Sequence, residues 1–415
     1  MMRPSQEETM SDSTRWRLSL MMFLEYVCWG SWLPLLALYL GTFLHFSGTQ
    51  IGGIFFTQAI ASVTAVVVSG QIADRYFSTE RFLAVSHVIA GVAMFALAFQ
   101  KSFWSFFALM LVYTLLYIPT LSLTNSICFH HLKDAQADFG KVRLWGTIGW
   151  IAASWPFIFI LKGKEGAALE GPLTSIFWVS GIASLVLAAI CLTLPATPPA
   201  RNVAQKNAPL EAIKLLQNPT IAVLFVVTLI DSLVHQCYFQ WTSPFLSSIG
   251  LPANWIMPAM SIGQFAEIVT MAVLGYFLKR LGWRRIMLFG ILGHVVRFFI
   301  YSIGHPVWLV VASNIVHGFA YAFFFAAVYI FVDEYFPKDA RASAQGLFNF
   351  LVLGVGQGAG SFLWGAVGDT FTHGGVVDFS KLFLVPTAMG LLAAAILFIG
   401  FHPEKTVPEA QVAAA

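Results

Sequence analysis

Hydrophobic residues run along this chain in long blocks that short polar stretches separate. A helix that crosses a bilayer needs about 20 mostly apolar residues, and twelve blocks reach roughly that length. We therefore predict twelve transmembrane helices, called spans 1 to 12 in chain order. They cover residues 18–41, 49–73, 82–100, 103–128, 141–161, 174–195, 219–247, 254–278, 285–304, 307–332, 344–367 and 380–401.

Composition and charge agree with an integral membrane protein. Hydrophobic residues make up 58% of the chain and charged residues 10%, whereas a soluble domain has about 25% charged residues. With both termini on one side, 18 of the 23 Lys and Arg residues fall on that side, which the positive-inside rule assigns to the cytoplasm. The net charge of +3 thus reflects topology, and we expect no nucleic-acid partner. The other basic residues are Lys101, Lys162, Lys164 and Lys381 outside and Arg297 within the membrane.

A polar, proline-containing segment separates six spans from six. We predict a cytoplasmic tail at 1–17, an N-terminal six-helix bundle at 18–195, a cytoplasmic linker at 196–218, a C-terminal six-helix bundle at 219–402 and a second tail at 403–415. The first 17 residues lack the apolar core of a signal peptide.

The two halves also resemble each other. Gly70, Asp74 and Arg75 follow span 2, and 205 residues later Gly275, Lys279 and Arg280 follow span 8. The same offset carries Glu25 of span 1 to the position beside Asp231 of span 7. Two repeats with a cavity between them are typical of secondary transporters. We therefore expect an all-α transporter and no enzyme.

Two polar residues stand out in the apolar span 8. Gln264 and Glu267 are three residues apart, so they share one face of a helix. A carboxylate at membrane depth costs several kcal/mol unless it is paired or lines a wet cavity. We predict that both residues bind a solute and that Glu267 also carries a proton; the structural alternative is an ion pair with Arg297 of span 9.

Further candidates lie on spans 1, 4, 7 and 10. Glu25 and Asp231 are predicted proton-coupling residues, with an ion pair or a gate contact as the alternative. Mixed polar and aromatic faces would suit a flat heterocycle, although helix packing gives the same pattern. These faces carry Glu25, Trp29 and Trp32 in span 1, Tyr113, Tyr117 and Thr120 in span 4, and Tyr321 and Phe325 in span 10.

The cysteines and histidines show no metal-ligand spacing. Cys28, Cys128, Cys191 and Cys237 all fall within predicted spans and are interpreted as small apolar residues. No Ser/His/Asp or Cys/His constellation has a useful spacing. We expect neither a metal nor a cofactor.

The loop motif of Gly70, Asp74 and Arg75, with six spans on each side of a linker, resembles the major facilitator superfamily. More narrowly, the chain resembles the bacterial nucleoside:proton symporter family. The segments that carry this resemblance are Trp29-Gly-Ser-Trp32, Pro119-Thr-Leu121 with Asn125, Arg143-Leu-Trp-Gly-Thr147-Ile-Gly149, Gln264-x-x-Glu267 and Arg341-Ala-Ser-Ala-Gln345-Gly346.

The resemblance implies nucleoside import by alternating access, driven by the proton gradient. It implies substrate contacts for Arg143, Thr147, Gln236, Gln264 and Glu267. It places Thr120 and Asn125 of span 4 in the binding region. The gating residues that it implies are Gly70, Asp74, Arg75, Lys279 and Arg280. Two positions depart from the family pattern. Phe239 replaces an asparagine, and Ala322 replaces an aspartate of span 10.

These observations predict a multi-pass protein of the bacterial inner membrane, monomeric, whose partners are a small solute, protons and lipid. Two alternatives remain open. One is a sugar:proton or aromatic-acid:proton symporter of the same superfamily, because its cavity would need similar faces. The other is a substrate sensor that binds without transport.

Overall fold

The computed structural model describes residues 12–67, 78–132, 135–198, 215–336 and 338–403. Helices lie over all twelve predicted spans, which confirms the all-α prediction. In chain order they are Asp12–Gly30 and Leu33–Thr42 (span 1), Gly48–Val67 (2), Thr79–Leu97 (3), Phe103–His131 (4), Ala135–Ala152 and Trp155–Ile160 (5), Ser175–Cys191 (6), Pro219–Ser248 (7), Ala253–Ile303 (8 and 9), Val307–Ala312, Ile315–Tyr321 and Ala327–Tyr335 (10), Lys338–Asn349 and Gln357–Thr370 (11) and Phe379–Gly400 (12).

Shorter elements join or interrupt these helices. Two π-helical segments lie within spans 10 and 11, and one small antiparallel ribbon precedes span 12. The π-helical segments are Ala322–Ala326 and Phe350–Gly356, the strands are Thr372–His373 and Val376–Val377, and the short helices are Gly166–Leu169, Glu170–Leu173 and Leu215–Gln217.

Nine helical segments in the described ranges are long and apolar enough to cross a membrane. The longest, Ala253–Ile303, turns at Gly282, whose φ of 74° and ψ of 168° are non-helical. Glycine adopts such a conformation without a steric penalty. The turn divides this segment into the predicted spans 8 and 9, with Lys279 and Arg280 exposed just before it.

The bundle is held together partly by glycines that allow helices to touch. Gly149 of span 5 lies against span 1, where a Cβ would stand 2.1 Å from the Phe23 carbonyl oxygen. Gly52 of span 2 lies similarly close to span 11, because a Cβ added at this position would stand 2.2 Å from the Ser361 carbonyl oxygen. Small residues bring membrane helices close in this way. The second contact joins the two halves.

Spans 2 and 11 stay in contact on both sides of this point, up to the end of the bundle that the charge pattern places outside. The Phe56 and Phe362 rings lie 4.6 Å apart between centroids. At the end of the two helices, the Asp369 carboxylate accepts hydrogen bonds from the backbone N–H groups of Gly48 at 2.6 Å and Thr49 at 2.9 Å, and from the Thr49 hydroxyl. The described residues therefore close the two halves against each other at this end.

Exposed tryptophans form a belt around the same end. Trp and Tyr side chains favour the boundary between lipid and water. We call this set the outer belt, and its members are Trp104, Trp155, Trp178, Trp255 and Trp308. The other exposed tryptophan, Trp16, lies at the predicted cytoplasmic start of span 1.

Candidate functional site

Arg143 of span 5 is held in place by span 1. Its Nη2 atom donates to the Tyr26 hydroxyl at 2.7 Å, and its guanidinium carbon stands 4.3 Å from the centre of the Tyr26 ring. Both side chains are half-buried. The arginine is thus fixed by a hydrogen bond and a cation–π contact, with its charge at the border of the N-terminal half.

Glu267 of span 8 lies opposite this arginine. Its carboxyl group is close enough to Arg143 to interact with it electrostatically, and Tyr26 and Tyr321 lie within the same range. One turn earlier, Gln264 is buried, and its Oε1 atom has no hydrogen-bond partner among the described residues. Glu267 therefore faces Arg143 of the other half, and Gln264 lies one turn away from Glu267 on the same helix.

Aromatic rings cover the N-terminal wall near this site. The Trp29 ring lies 6.4 Å from Tyr26, 6.1 Å from Tyr117 and 5.4 Å from Trp150, measured between centroids. Its Nε1–H group is buried and without a partner in the described ranges. Trp150 also contacts Phe239 of span 7 at 6.5 Å, so the rings bridge the two halves.

Glu25 lies deeper, inside the N-terminal half. Its Oε2 atom is 3.0 Å from His87 Nε2, and its Oε1 atom accepts a hydrogen bond from the Thr120 hydroxyl at 2.6 Å. The Tyr117 hydroxyl donates to the Glu25 carbonyl oxygen at 2.7 Å. Tyr117 and Thr120 are almost completely buried. Their hydroxyl groups therefore support Glu25 and lie behind the Trp29 surface.

Asp231 has an analogous partner in the C-terminal half. Its Oδ1 atom lies 2.8 Å from His294 Nδ1, and both side chains are fully buried. His235, one turn after Asp231, lies 5.6 Å from His294 between ring centroids. It also stacks on His317 at 5.1 Å. His317 in turn is hydrogen-bonded to Arg297.

The remaining candidates occupy less connected positions. Gln236 donates to the Ser361 hydroxyl at 3.2 Å. Thr147, Asn125 and Tyr321 are half-buried, and Phe325 is buried beside His235.

Ala322 lies in the π-helical segment of span 10 and is fully buried in an apolar cluster with Phe323 and Phe324. The loop residues Gly70, Asp74 and Arg75 lie outside the described residues.

Sequence reasoning missed several residues of these sites. Tyr26 and Trp150 were not singled out, and neither were His87, His294 or His317. One signal was available for two of them. Asp231 follows Glu25 by 206 residues and His294 follows His87 by 207, so the acid–histidine pair recurs at the repeat offset.

Two helix bundles with a polar and aromatic site between them define a multi-pass secondary transporter of the major facilitator type. The family model described as "Nucleoside H+ symporter" matches residues 12–406, and the chain belongs to that family. This confirms the resemblance found in the sequence.

The similarity to known relatives extends over nearly the whole chain. The chain is 33% identical to the xanthosine permease of Escherichia coli K12, over 94% of this chain and 97% of the relative. It is 29% identical to the nucleoside permease NupG of the same organism, over 89% of this chain and 91% of the relative. A crystal structure of a mutant of the nucleoside transporter NupG superposes with a TM-score of 0.86 at 28% identity, covering 94% of this chain and 100% of that one.

Proposed function

We propose that this protein carries nucleosides into a bacterial cell together with protons, and that the solute binds between Arg143 and Glu267. The observation that carries the proposal is the electrostatic interaction of these opposite charges across the two halves. A partnerless polar atom of Gln264 lies one turn from Glu267, and another belongs to Trp29, whose ring is 6.4 Å from the Tyr26 ring. The names of the relatives, a xanthosine permease and a nucleoside permease, support the substrate class.

The chemistry of a nucleoside matches this site. Its flat base would lie against Trp29, Tyr26 and Trp150, as aromatic rings do in offset or edge contacts. The Gln264 carbonyl oxygen accepts from a sugar hydroxyl or a base N–H, and the Trp29 indole donates to a base oxygen. Thr147, Gln236, Asn125, Tyr321 and Phe325 would complete the pocket, with Tyr117 and Thr120 holding span 4 in place behind it.

Glu267 would connect substrate and proton. When ionised, it attracts Arg143 across the boundary of the two halves and accepts hydrogen bonds from sugar hydroxyls. When protonated, it no longer attracts Arg143. The relative stability of the two arrangements of the halves, one open to the outside and one open to the cytoplasm, therefore changes. The proton gradient thereby supplies the energy for uptake, and no cofactor takes part. Lys279 and Arg280, with the 70–75 loop, would gate the cytoplasmic side.

The proposed setting is the bacterial inner membrane, with both termini in the cytoplasm and the protein acting as a monomer. The charge distribution along the chain supports this orientation.

The test is transport by purified protein in proteoliposomes. Labelled xanthosine and uridine are offered with and without an imposed inward proton gradient, and D-xylose and 3-phenylpropionate serve as competing classes. We expect gradient-driven nucleoside accumulation that a protonophore abolishes. Accumulation of the sugar or the aromatic acid in place of nucleosides would overturn the proposal, and so would nucleoside binding without counterflow.

A further inference from the structure

The most unusual polar cluster of the described residues lies in the C-terminal half, away from Arg143 and Glu267. It consists of Asp231 and His235 on span 7, His294 and Arg297 on span 9, and His317 on span 10; we call it the histidine cluster. Asp231, His294 and Arg297 are fully buried, and His235 is the half-buried member. Buried ionisable groups at membrane depth are costly and usually functional.

One end of the histidine cluster is set up to accept a proton. Because His294 Nδ1 donates to Asp231 Oδ1 at 2.8 Å, its Nε2 atom carries the lone pair. That Nε2 atom and the second carboxylate oxygen, Oδ2, are buried and have no partner within the described part of the chain. A proton that binds Nε2 lets the Nδ1 proton move to Asp231, leaving a neutral ring and a neutral acid.

His235 links this end to the substrate site. Its ring lies 5.6 Å from His294 and 6.0 Å from Tyr321, which in turn is within electrostatic range of Glu267. Its buried Nδ1 atom has no partner in the ranges that the structure describes. One ring nitrogen from each of the three histidines lies within 4.8 Å of those of the other two. One water molecule or a ring rotation spans such a gap.

Arg297 fixes the proton position on His317, at the other end of the histidine cluster. It is hydrogen-bonded to Nδ1 of His317, so the neutral His317 ring carries its proton on Nε2 and acts as a donor there. The guanidinium also lies 4.4 Å from the centre of the Tyr238 ring. A fixed positive charge beside three histidines disfavours a divalent metal ion, whereas a single mobile proton adds only one charge. The cluster therefore suits a proton better than a metal.

Asp231 and Arg297 supply the opposite charges of the histidine cluster. The other titratable groups around it are neutral donors or aromatic neighbours on the same three helices. These groups are Cys237 and Tyr238 on span 7, Tyr301 on span 9 and Tyr321 on span 10.

The corresponding pair of the N-terminal half differs at the carboxylate. Both oxygens of the Glu25 carboxylate are hydrogen-bonded, by His87 and by Thr120, and the Tyr117 ring lies edge-on to His87 at 6.1 Å. The Nδ1 atom of His87, like Nε2 of His294, is buried and has no partner among the described residues. No second histidine joins His87 among the ring contacts of the described residues. The repeat thus retains in each half an acid–histidine pair with a partnerless ring nitrogen. Among the described residues, only the C-terminal pair also has a partnerless carboxylate oxygen and a neighbouring histidine.

We infer that Asp231 and His294 form a second proton-binding site, which His235 connects to the substrate site, and that Glu25 and His87 are its structural counterpart. The inference rests on the proposed function and adds residues that handle the transported proton.

The matched pair of variants is His294→Gln and His87→Gln. In each, the amide still donates to the buried carboxylate but cannot relay a proton. Two measurements in proteoliposomes separate the roles: counterflow of labelled xanthosine or uridine, which needs no net proton movement, and accumulation under an imposed proton gradient.

We expect His294→Gln to retain counterflow while its gradient-driven accumulation falls by roughly 5- to 150-fold, the usual size of a coupling between two sites. His87→Gln should change both measurements in parallel or neither. His235→Gln, at a half-buried position, should repeat the His294 result and covers the case that His294→Gln does not fold.

Gradient-driven accumulation that persists in folded His294→Gln or His235→Gln protein overturns the inference. A parallel loss of counterflow and accumulation in both of these variants also overturns it. Absence of nucleoside counterflow in the unmodified protein would instead refute the proposed function, and the inference with it.

Discussion

Asp369 caps a helix of the other half of the molecule, because its carboxylate accepts the Gly48 N–H at 2.6 Å. Free N–H groups at a helix N-terminus and the helix dipole both favour an anion there. Since Asp369 lies at the end of span 11 and Gly48 at the start of span 2, this contact must break when the outer end opens. It therefore favours the state in which that end is closed.

The first prediction tests this contact. Asp369→Ala should weaken the closed outer end by about 0.5–2 kcal/mol, the usual cost of losing an N-cap. Hydrogen exchange of the Gly48 and Thr49 amides, followed by mass spectrometry of peptides covering residues 44–56, should become faster.

Asp378→Ala is the matched control, since Asp378 accepts from the Lys381 N–H at 3.1 Å at the start of span 12 within one half. It should accelerate exchange only near its own helix. Equal exchange at Gly48 in Asp369→Ala and unmodified protein would show that the cap does not hold the halves together.

Glu267→Gln should retain the fold and most nucleoside binding, because an amide has nearly the shape of the carboxyl group. It should lose roughly 5- to 150-fold in gradient-driven uptake, because the amide cannot carry a proton. Uptake in proteoliposomes with and without a protonophore measures this. A variant whose uptake still responds fully to the gradient would remove Glu267 from proton coupling.

Gln264→Ala should weaken nucleoside binding by about 1–3 kcal/mol, or roughly 5- to 150-fold in Kd, if the ligand supplies the missing partner of Oε1. Thr387→Ala is the control. Its buried hydroxyl donates to the Phe383 carbonyl oxygen at 2.7 Å within span 12, so its loss should lower thermal stability and leave the Kd unchanged. Isothermal titration of both proteins decides; similar Kd values would place Gln264 outside the site.

Tyr26→Phe should weaken binding by about 1 kcal/mol, roughly fivefold in Kd, because Arg143 loses the acceptor that orients it while the ring contact remains. Arg143→Lys should cost more, since lysine replaces neither the fork of donors nor the stacking. If both variants bind the nucleoside with the Kd of the unmodified protein, the guanidinium is not part of the nucleoside site.

Gly149→Ala should destabilise the protein by about 1–3 kcal/mol, because the added methyl group would collide with the Phe23 carbonyl oxygen. Gly140→Ala on the same helix has open space around its Cβ and should be neutral or slightly stabilising. Melting temperatures in detergent compare the two. Equal melting temperatures would mean that spans 1 and 5 separate at no cost.

The helical class, the order and the approximate positions of the spans could be predicted because a bilayer demands long apolar helices. The face shared by Gln264 and Glu267 could be predicted because helical spacing is local. The partners of that face could not, since Arg143 is more than a hundred residues away in the chain. For the same reason spacing placed Tyr117 and Thr120 on one face of span 4 but did not indicate that this face contacts Glu25.

The histidines show a different limit. His87 and His294 lie in largely apolar helices, and only packing reveals that each meets an acid of another span. Comparing the two halves position by position would have found both pairs, because the repeat keeps them at nearly the same offset. The roles of the predicted binding, coupling and gating residues, and the domain limits, stay predictions.

The outer belt places five of the six exposed tryptophans at one surface of the protein; only Trp16 lies at the other. Its indoles hold the outer ends of the helices at the level of the lipid carbonyl groups, whereas the inner ends carry mainly lysines and arginines, whose long side chains tolerate vertical displacement. A change in lipid chain length is therefore absorbed at the cytoplasmic leaflet. Thinner or thicker membranes should accordingly shift the inner ends of the helices more than the outer ends.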